Sequence, residues 1–328
     1  MNSWDWLDKT WKLEFYENGP AAVVRNLSVL LLLVCLGLPE FVCAQDLEPR
    51  RWSHLPSGQN IVGVGYGYTE AKVYFSPVWK ITDGTSRQNN LGLSAIHTFG
   101  LAGKSARISL LLPYINGRWQ GDVDGEYQTI HRRGTGDPRL RLSVNLYGAP
   151  VLKGPEFTQY RAAHANNTVV GASIAVTVPL GEYCDDCLIN IGNNRWSVRP
   201  QIGVVHTRGP WSFELTGSAF MFTDNDSFFD NAVLKQKSIY AVQTHAIYSF
   251  KSGFWASLST GYGTGGRIRI DQQKTEFEVD NWVWAASLGV PAGKNQSLKL
   301  AWLSGRTQNE VGRDSDNLLL SWSIRWAN

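Results

Sequence analysis

The chain has 328 residues, a formal net charge of +3, 18% charged and 43% hydrophobic residues, 32 Gly and 14 Trp. This excludes a disordered chain, which is charged and poor in aromatics, and collagen, which needs glycine at every third position. A mean hydropathy of −0.22 excludes a bundle of apolar membrane helices, and the small net charge gives no argument for a nucleic-acid partner.

The first element in chain order is a leader. Arg25 precedes an apolar run from Leu27 to Leu38, and Val42-Cys43-Ala44 follows it. Twelve apolar residues are too few to span a bilayer as a helix. Positive, apolar and then small residues make a secretory signal peptide, with cleavage expected after Ala44. Trp4, Trp6, Trp11 and several acids are unusual upstream of such a signal. A true start near Val23 or Val24 accounts for them, and a long leader is the alternative. The leader, 1–44, carries three basic and five acidic residues, so 45–328 is left with a formal charge of +5.

Helical periodicity is nearly absent downstream, and period-two alternation replaces it. Leu318, Leu320, Trp322, Ile324 and Trp326 share one face, with Ser321, Ser323 and Arg325 on the other. Leu140, Leu142, Val144 and Leu146 oppose Arg139, Arg141, Ser143 and Asn145. Twelve such segments are predicted, at about 60–70, 88–99, 105–116, 138–146, 168–180, 196–206, 211–222, 238–250, 254–263, 281–290, 297–303 and 317–326. Most approach the length of a tilted transmembrane strand. The intervals alternate long (71–87, 117–137, 181–195, 223–237, 264–280, 304–316) and short, and only 147–167 breaks the rule. Within it, Pro155 after Gly154 predicts a helix at about 155–164.

An even number of near-equal strands, with long loops at one end and short turns at the other, describes a transmembrane antiparallel β-barrel. A β-sandwich also alternates, but it needs neither twelve near-equal strands nor a secretory leader. Trp119, Trp196, Trp211, Trp255, Trp282 and Trp326 fall at strand ends, where an interfacial girdle is expected. The termini are expected in the periplasm and the long loops outside, in the outer membrane of a Gram-negative-type cell.

The stretches Asp46-Leu-Glu-Pro-Arg-Arg-Trp52, Val64-Gly-Tyr-Gly-Tyr68, Gly136-Asp-Pro-Arg-Leu-Arg-Leu-Ser-Val-Asn145, Val178-Pro-Leu-Gly-Glu-Tyr183, Arg199-Pro-Gln-Ile-Gly-Val-Val-His-Thr-Arg-Gly-Pro-Trp211 and Thr223-Asp-Asn-Asp-Ser-Phe-Phe229 together resemble the MetA-pathway phenol-degradation family of outer-membrane transporters. The resemblance covers about 46–326. It implies an outer-membrane barrel and an association with aromatic catabolism, and it carries over no site residue. Trp326 resembles the near-terminal aromatic of outer-membrane proteins, which implies the barrel assembly machinery as a partner besides outer-membrane lipids. Ala327-Asn328 after it, the Cys184/Cys187 pair and the leader depart from the family pattern.

The strand faces place Arg107, Arg139, Arg141, Arg199, Gln201, Glu214, Gln243, His245, Lys299 and Arg325 toward the lumen. A basic lumen attracts anions because low-dielectric walls concentrate the field. Arginines that pair with Glu214 and loop acids and fill the barrel are the alternative. Gly63, Gly65 and Gly67 recur every second residue on the inward face, where they leave space. Cys184 and Cys187 are expected to form a local disulfide in an oxidising compartment, with free thiols or a metal site as alternatives. Asp224, Asp226 and Asp230 crowd one loop, where a solvated loop is favoured over a calcium site.

The resulting expectation is passive uptake of small molecules, aromatic or anionic, through a basic lumen, with no cofactor and no enzymatic activity. A non-conducting structural or adhesive barrel is the alternative. A membrane lipid hydrolase ranks lower, because His131 has no local orienting partner and no Gly-x-Ser-x-Gly elbow exists.

Overall fold

The computed structural model describes residues 47–75, 81–123, 125–187, 189–228, 231–271, 273–274 and 278–327. The leader lies outside them, as does Asp230. Among the described residues, seventeen strands and one helix follow the segment 47–58: β1 (Gln59–Tyr74), β2 (Ile81–Leu101), β3 (Lys104–Val123), β4 (Glu126–Thr135), β5 (Arg139–Tyr147), α1 (Gly154–Ala163), β6 (Asn166–Thr177), β7 (Ser197–Arg208), β8 (Trp211–Phe222), β9 (Asn225–Phe228), β10 (Ala232–Gln236), β11 (Ile239–Ser249), β12 (Trp255–Gly265), β13 (Ile268–Ile270), β14 (Gln273–Lys274), β15 (Val279–Pro291), β16 (Gln296–Thr307) and β17 (Gly312–Ala327).

Twelve of these strands form a closed antiparallel ring, β1-β2-β3-β5-β6-β7-β8-β11-β12-β15-β16-β17, and β17 pairs back along the whole of β1. The twelve predicted segments are the cores of these twelve strands. β9, β10, β13 and β14 make a small second sheet within two of the long connections. Its apolar cluster joins Ala232, Leu234, Ile268 and Ile270.

Two expected loops, 71–87 and 117–137, are largely strand. β2 and β3 run for 21 and 20 residues, about twice what crosses a bilayer. Their outer halves pair as a hairpin, and β4 adds to the same half of β3. Above the lipid a strand needs no apolar outward face. Arg87 and Arg118 therefore sit in ladder positions that hydrophobic alternation does not flag. β3 gives its lower half to β5 and its upper half to β4, which are separated by Gly136-Asp137-Pro138.

The outward face carries exposed Val62, Val64, Leu91, Leu93, Leu110, Leu140, Ile202, Phe213, Leu215, Leu258, Leu300, Leu318 and Leu320. Trp196, Trp211, Trp282 and Trp326 are exposed as a girdle requires. Trp119 and Trp255 are not part of it. Because β3 continues past 116, Trp119 falls in phase with inward Ile115 and Gly117, and it packs on Ile189 and Ile191. Trp255 shares its face with buried Ser257 and Ser259, and its ring lies under the Arg50 guanidinium at 5.3 Å.

The short connections obey turn chemistry. Ala102 and Gly103 join β2 to β3 with φ of 48° and 73°, the double left-handed signature of a two-residue hairpin. α1 begins with Pro155 in its first turn, carries Glu156 there and Arg161 in its last turn, and so complements its own dipole. Gly148, φ 76°, starts the connection to α1, and any Cβ there would collide with the Thr168 carbonyl. Gly148→Ala should therefore lower the urea midpoint of the folded barrel markedly. Gly103→Ala, left-handed but in open space, should cost only about 1 kcal/mol. Equal midpoints would show that the Thr168 contact is not limiting.

Candidate functional site: a lumen holding an N-terminal segment

Residues 47–58 enter the barrel from the end that carries the short turns, α1 and the start of β1. Trp52 has no exposed surface, and its indole Nε1 donates to Thr216 Oγ1 on β8 at 2.8 Å. It lies flat against β6 and β7, where a Cβ at Gly171 or Gly203 would occupy the ring's own space. Leu47 reaches mid-barrel and packs on Val283 and Ala285 of β15. The Arg50 amide donates to Glu214 Oε2 at 2.9 Å. Glu48 accepts from Arg51 Nη2 at 2.7 Å and from Arg141 Nη1 at 3.3 Å.

The segment leaves the lumen past His54, whose Nε2 donates to the Pro150 carbonyl at 2.7 Å. The Phe157 and Tyr160 rings of α1 stand edge-on to the imidazole at 4.8 and 5.5 Å. Beyond it, Thr98 Oγ1 donates to the Pro56 carbonyl and accepts from the Gln59 amide.

The segment makes the two walls of the barrel unlike. On the covered wall, Gln201, Glu214, Thr216, Gln243 and His245 are all at most 4% exposed. Ser173 Oγ donates to Gln201 Oε1, and His245 Nδ1 lies 2.8 Å from Ser259 Oγ. On the opposite wall, Gly63, Gly65 and Gly67 of β1 face Ser323, Ser321 and Leu319 of β17 in register. Leu319 is 38% exposed although it points inward against Gly67. Ser321 and Ser323 are half-buried, as are Gly92 and Ser94 on β2.

The ten sequence-predicted lumen residues divide along these walls. Arg141, Arg199, Gln201, Glu214, Gln243 and His245 are buried on the covered side. Arg107 and Arg139 are half-buried. Lys299 is half-buried and Arg325 exposed on the strands of the uncovered wall, toward the short-turn end. Glu214 accepts from the Arg50 backbone, and the acid that meets Arg141 is Glu48 of the segment. Sequence reasoning missed Glu48, Arg50, Arg51, Trp52 and Arg195. The available signal was Asp46–Trp52 itself, a dense charged and aromatic stretch with no alternation of its own.

At the other end of the barrel the connection between β6 and β7 folds in against the rim. Asp137 accepts from the Gly181 and Asn193 amides and from Asn193 Nδ2. Cys184 and Cys187 are joined by a disulfide, and Asn190 bridges both ends of that turn through the Cys184 amide and the Cys184 and Cys187 carbonyls. Ile189 and Ile191 then drop onto Ile115 and Trp119 inside the rim. Asp224 pairs with Lys235 at 2.8 Å, and Asp226 is exposed. Among the described residues no group of three or more His, Cys, Asp or Glu could hold a metal ion.

A closed twelve-stranded ring, apolar toward lipid and polar within, defines an outer-membrane β-barrel. The chain belongs to the family described as "Putative MetA-pathway of phenol degradation", whose model matches residues 57–314. Among solved structures it is similar to the COG4313 outer membrane channel from Pseudomonas putida F1, with a TM-score of 0.70 and 22% identity over 86% of this chain and 100% of that one. It also resembles the transport unit of the autotransporter AIDA-I from Escherichia coli, with a TM-score of 0.52 and 9% identity over 92% and 98% of the two chains. No curated protein matches the sequence.

Burial holds the His54 imidazole below its usual pKa, and the Arg161 charge acts in the same direction, against the bond to Pro150. The folded packing thus favours neutral His54. As pH falls below about 6.5, the released segment takes up the proton more readily than the seated one, so seating weakens on acidification. Amide exchange in 50–58, taken relative to the intrinsic rate at each pH, should rise from pH 7.5 to 5.5 by more than it does in a His54→Phe variant. An equal rise in both would remove His54 from the effect.

Proposed function

We propose that the protein is an outer-membrane channel for small molecules, in which the N-terminal segment narrows the lumen to a path along the β16–β17–β1–β2 wall. The observation that carries this reading is the difference between the two walls: one is sealed by Trp52 and its neighbours, and the other is built of Gly and Ser with inward Leu319 exposed. Twelve strands enclose a lumen intermediate between one filled by side chains and an open pore. The segment takes up part of that excess and leaves the remainder beside Lys299 and Arg325.

In this reading the short-turn end, with α1 and the termini, faces the periplasm, and the connections carrying the small sheet face outside. Trp326 serves recognition by the assembly machinery. Lys299 and Arg325 make the path favour anions. Aromatic cargo follows from the family's association with phenol degradation. The barrel acts without covalent chemistry. The seated segment equally supports a second reading, a barrel that does not conduct until the segment moves.

Planar-bilayer recording in a salt gradient tests both. Small discrete steps with an anion-selective reversal potential are expected, and Lys299→Glu with Arg325→Glu should move that potential toward cations. Gly65→Trp should cut conductance by more than half, whereas Trp52→Ala should raise it. A folded barrel that stays silent, and that Trp52→Ala opens, would replace the first reading by the second. Full conductance in Gly65→Trp would place the path elsewhere.

A further inference from the structure

A second feature lies above the segment, at the loop end of the lumen. A cavity holds about 660 Å³ of space between atoms, part of it continuous with solvent, and is lined by Leu111, Pro113, Arg139, Arg195, Arg199, Phe220 and Phe222 with Asp137 and Asn193.

Its charge and its walls are arranged for one kind of guest. The Arg199 guanidinium lies over the Phe220 ring at 4.3 Å, and that of Arg195 over Phe222 at 4.6 Å. A guanidinium stacked by its face keeps its N–H groups in the plane of its edge, where they match a carboxylate bidentately. Arg195 is 3% exposed; its Nη2 donates to Gln236 Oε1, while its Nη1 is buried with no partner. A buried guanidinium N–H that meets no acceptor is costly, and a ligand oxygen would relieve that cost. The cavity's one acid, Asp137, already accepts three hydrogen bonds from Gly181 and Asn193. Three arginines line the cavity with a single acid, and Phe220, Phe222, Leu111 and Pro113 offer apolar surface beside them. Burial lowers the Arg195 pKa to about 10, so the group stays cationic at neutral pH.

We propose that this cavity is a binding site for a small organic monocarboxylate, with Arg195 and Arg199 on the carboxylate and Phe220 and Phe222 against a compact apolar or aromatic body. As a transport subsite it rests on the channel reading above and names the class of cargo selected at the outer entrance. Binding itself needs no conduction.

Titration calorimetry on the folded, detergent-solubilised barrel tests this with benzoate, its neutral counterpart benzyl alcohol, and sulfate. Benzoate should bind at least tenfold more tightly than benzyl alcohol or sulfate. Arg195→Gln and Arg199→Gln should each weaken benzoate tenfold or more, and Arg195→Lys should fall between. Arg269→Gln, exposed in the small sheet, should match the parent. Heat-dependent gel mobility reports folding. If Arg195→Gln fails to fold, Arg195→Lys and Arg199→Gln still decide the matter.

Equal binding of benzyl alcohol would reduce the site to an apolar slot, and equal binding of sulfate to a general anion well. Either result overturns the proposal, as does benzoate affinity unchanged in the folded arginine variants or absent in the parent. Binding by a barrel that never conducts removes the channel reading and keeps the site. Conduction with no benzoate binding removes the site and keeps the channel.

Discussion

Every feature of this molecule depends on one constraint: lipid offers no hydrogen-bond partner to a peptide group. A sheet in the bilayer must close on itself, because an open edge would leave a column of N–H and C=O groups unpaired. The pairing of β1 with β17 from Gln59↔Ala327 to Tyr74↔Gly312 meets that demand. Closure fixes the rest of the chemistry. Side chains alternate, so one set must suit lipid and the other, shielded from it, is free to be polar. Leu318, Leu320 and Trp322 face out while Ser321 and Ser323 face in, on consecutive residues. Where β2 and β3 rise above the membrane, lipid no longer selects the outward set, and the ladder continues through polar residues.

Closing twelve strands leaves an interior wider than twelve rows of side chains can fill. The chain's own N-terminal segment occupies part of the difference. Trp52 supplies bulk where β6 and β7 present only Gly171 and Gly203. Glu48, itself partly exposed, brings a negative charge to the buried Arg141 and Arg51. Removing it would leave two buried guanidinium charges without that carboxylate. Filling one side only is what makes the two walls differ in exposure.

The end with the long connections is built by a different device. The break at Gly136-Asp137-Pro138 lets one long strand, β3, serve two partners, and it leaves the Asp137 carboxylate to gather the returning connection 178–196. The Cys184–Cys187 turn and Asn190 stiffen that connection, and Ile189 and Ile191 seat it on Trp119. The three arginines thereby meet at the mouth, each from a separate piece of chain: β5, β7 and the loop before it.

The sequence alone determined the class, the twelve membrane strands, the inward or outward face of their residues and the helix at α1. Each of these is local or periodic. A lipid-facing position must be apolar every second residue, and Pro155 marks a helix start without reference to anything distant. Tertiary structure alone decided what fills the lumen. Nothing in Leu47–Trp52 states that it turns back into the barrel, because its partners are Thr216, Glu214 and Arg141, between 90 and 170 residues away. Trp119 and Trp255 looked like girdle residues for the same reason. An aromatic at a strand end suits the lipid interface or an inner cavity equally well, and only the phase of the extended strand, or an arginine above the ring, separates the two. Arg195 had no pattern around it to read, since it acquires its role from Phe222 and Gln236, which closure of the ring and the small sheet bring to its side.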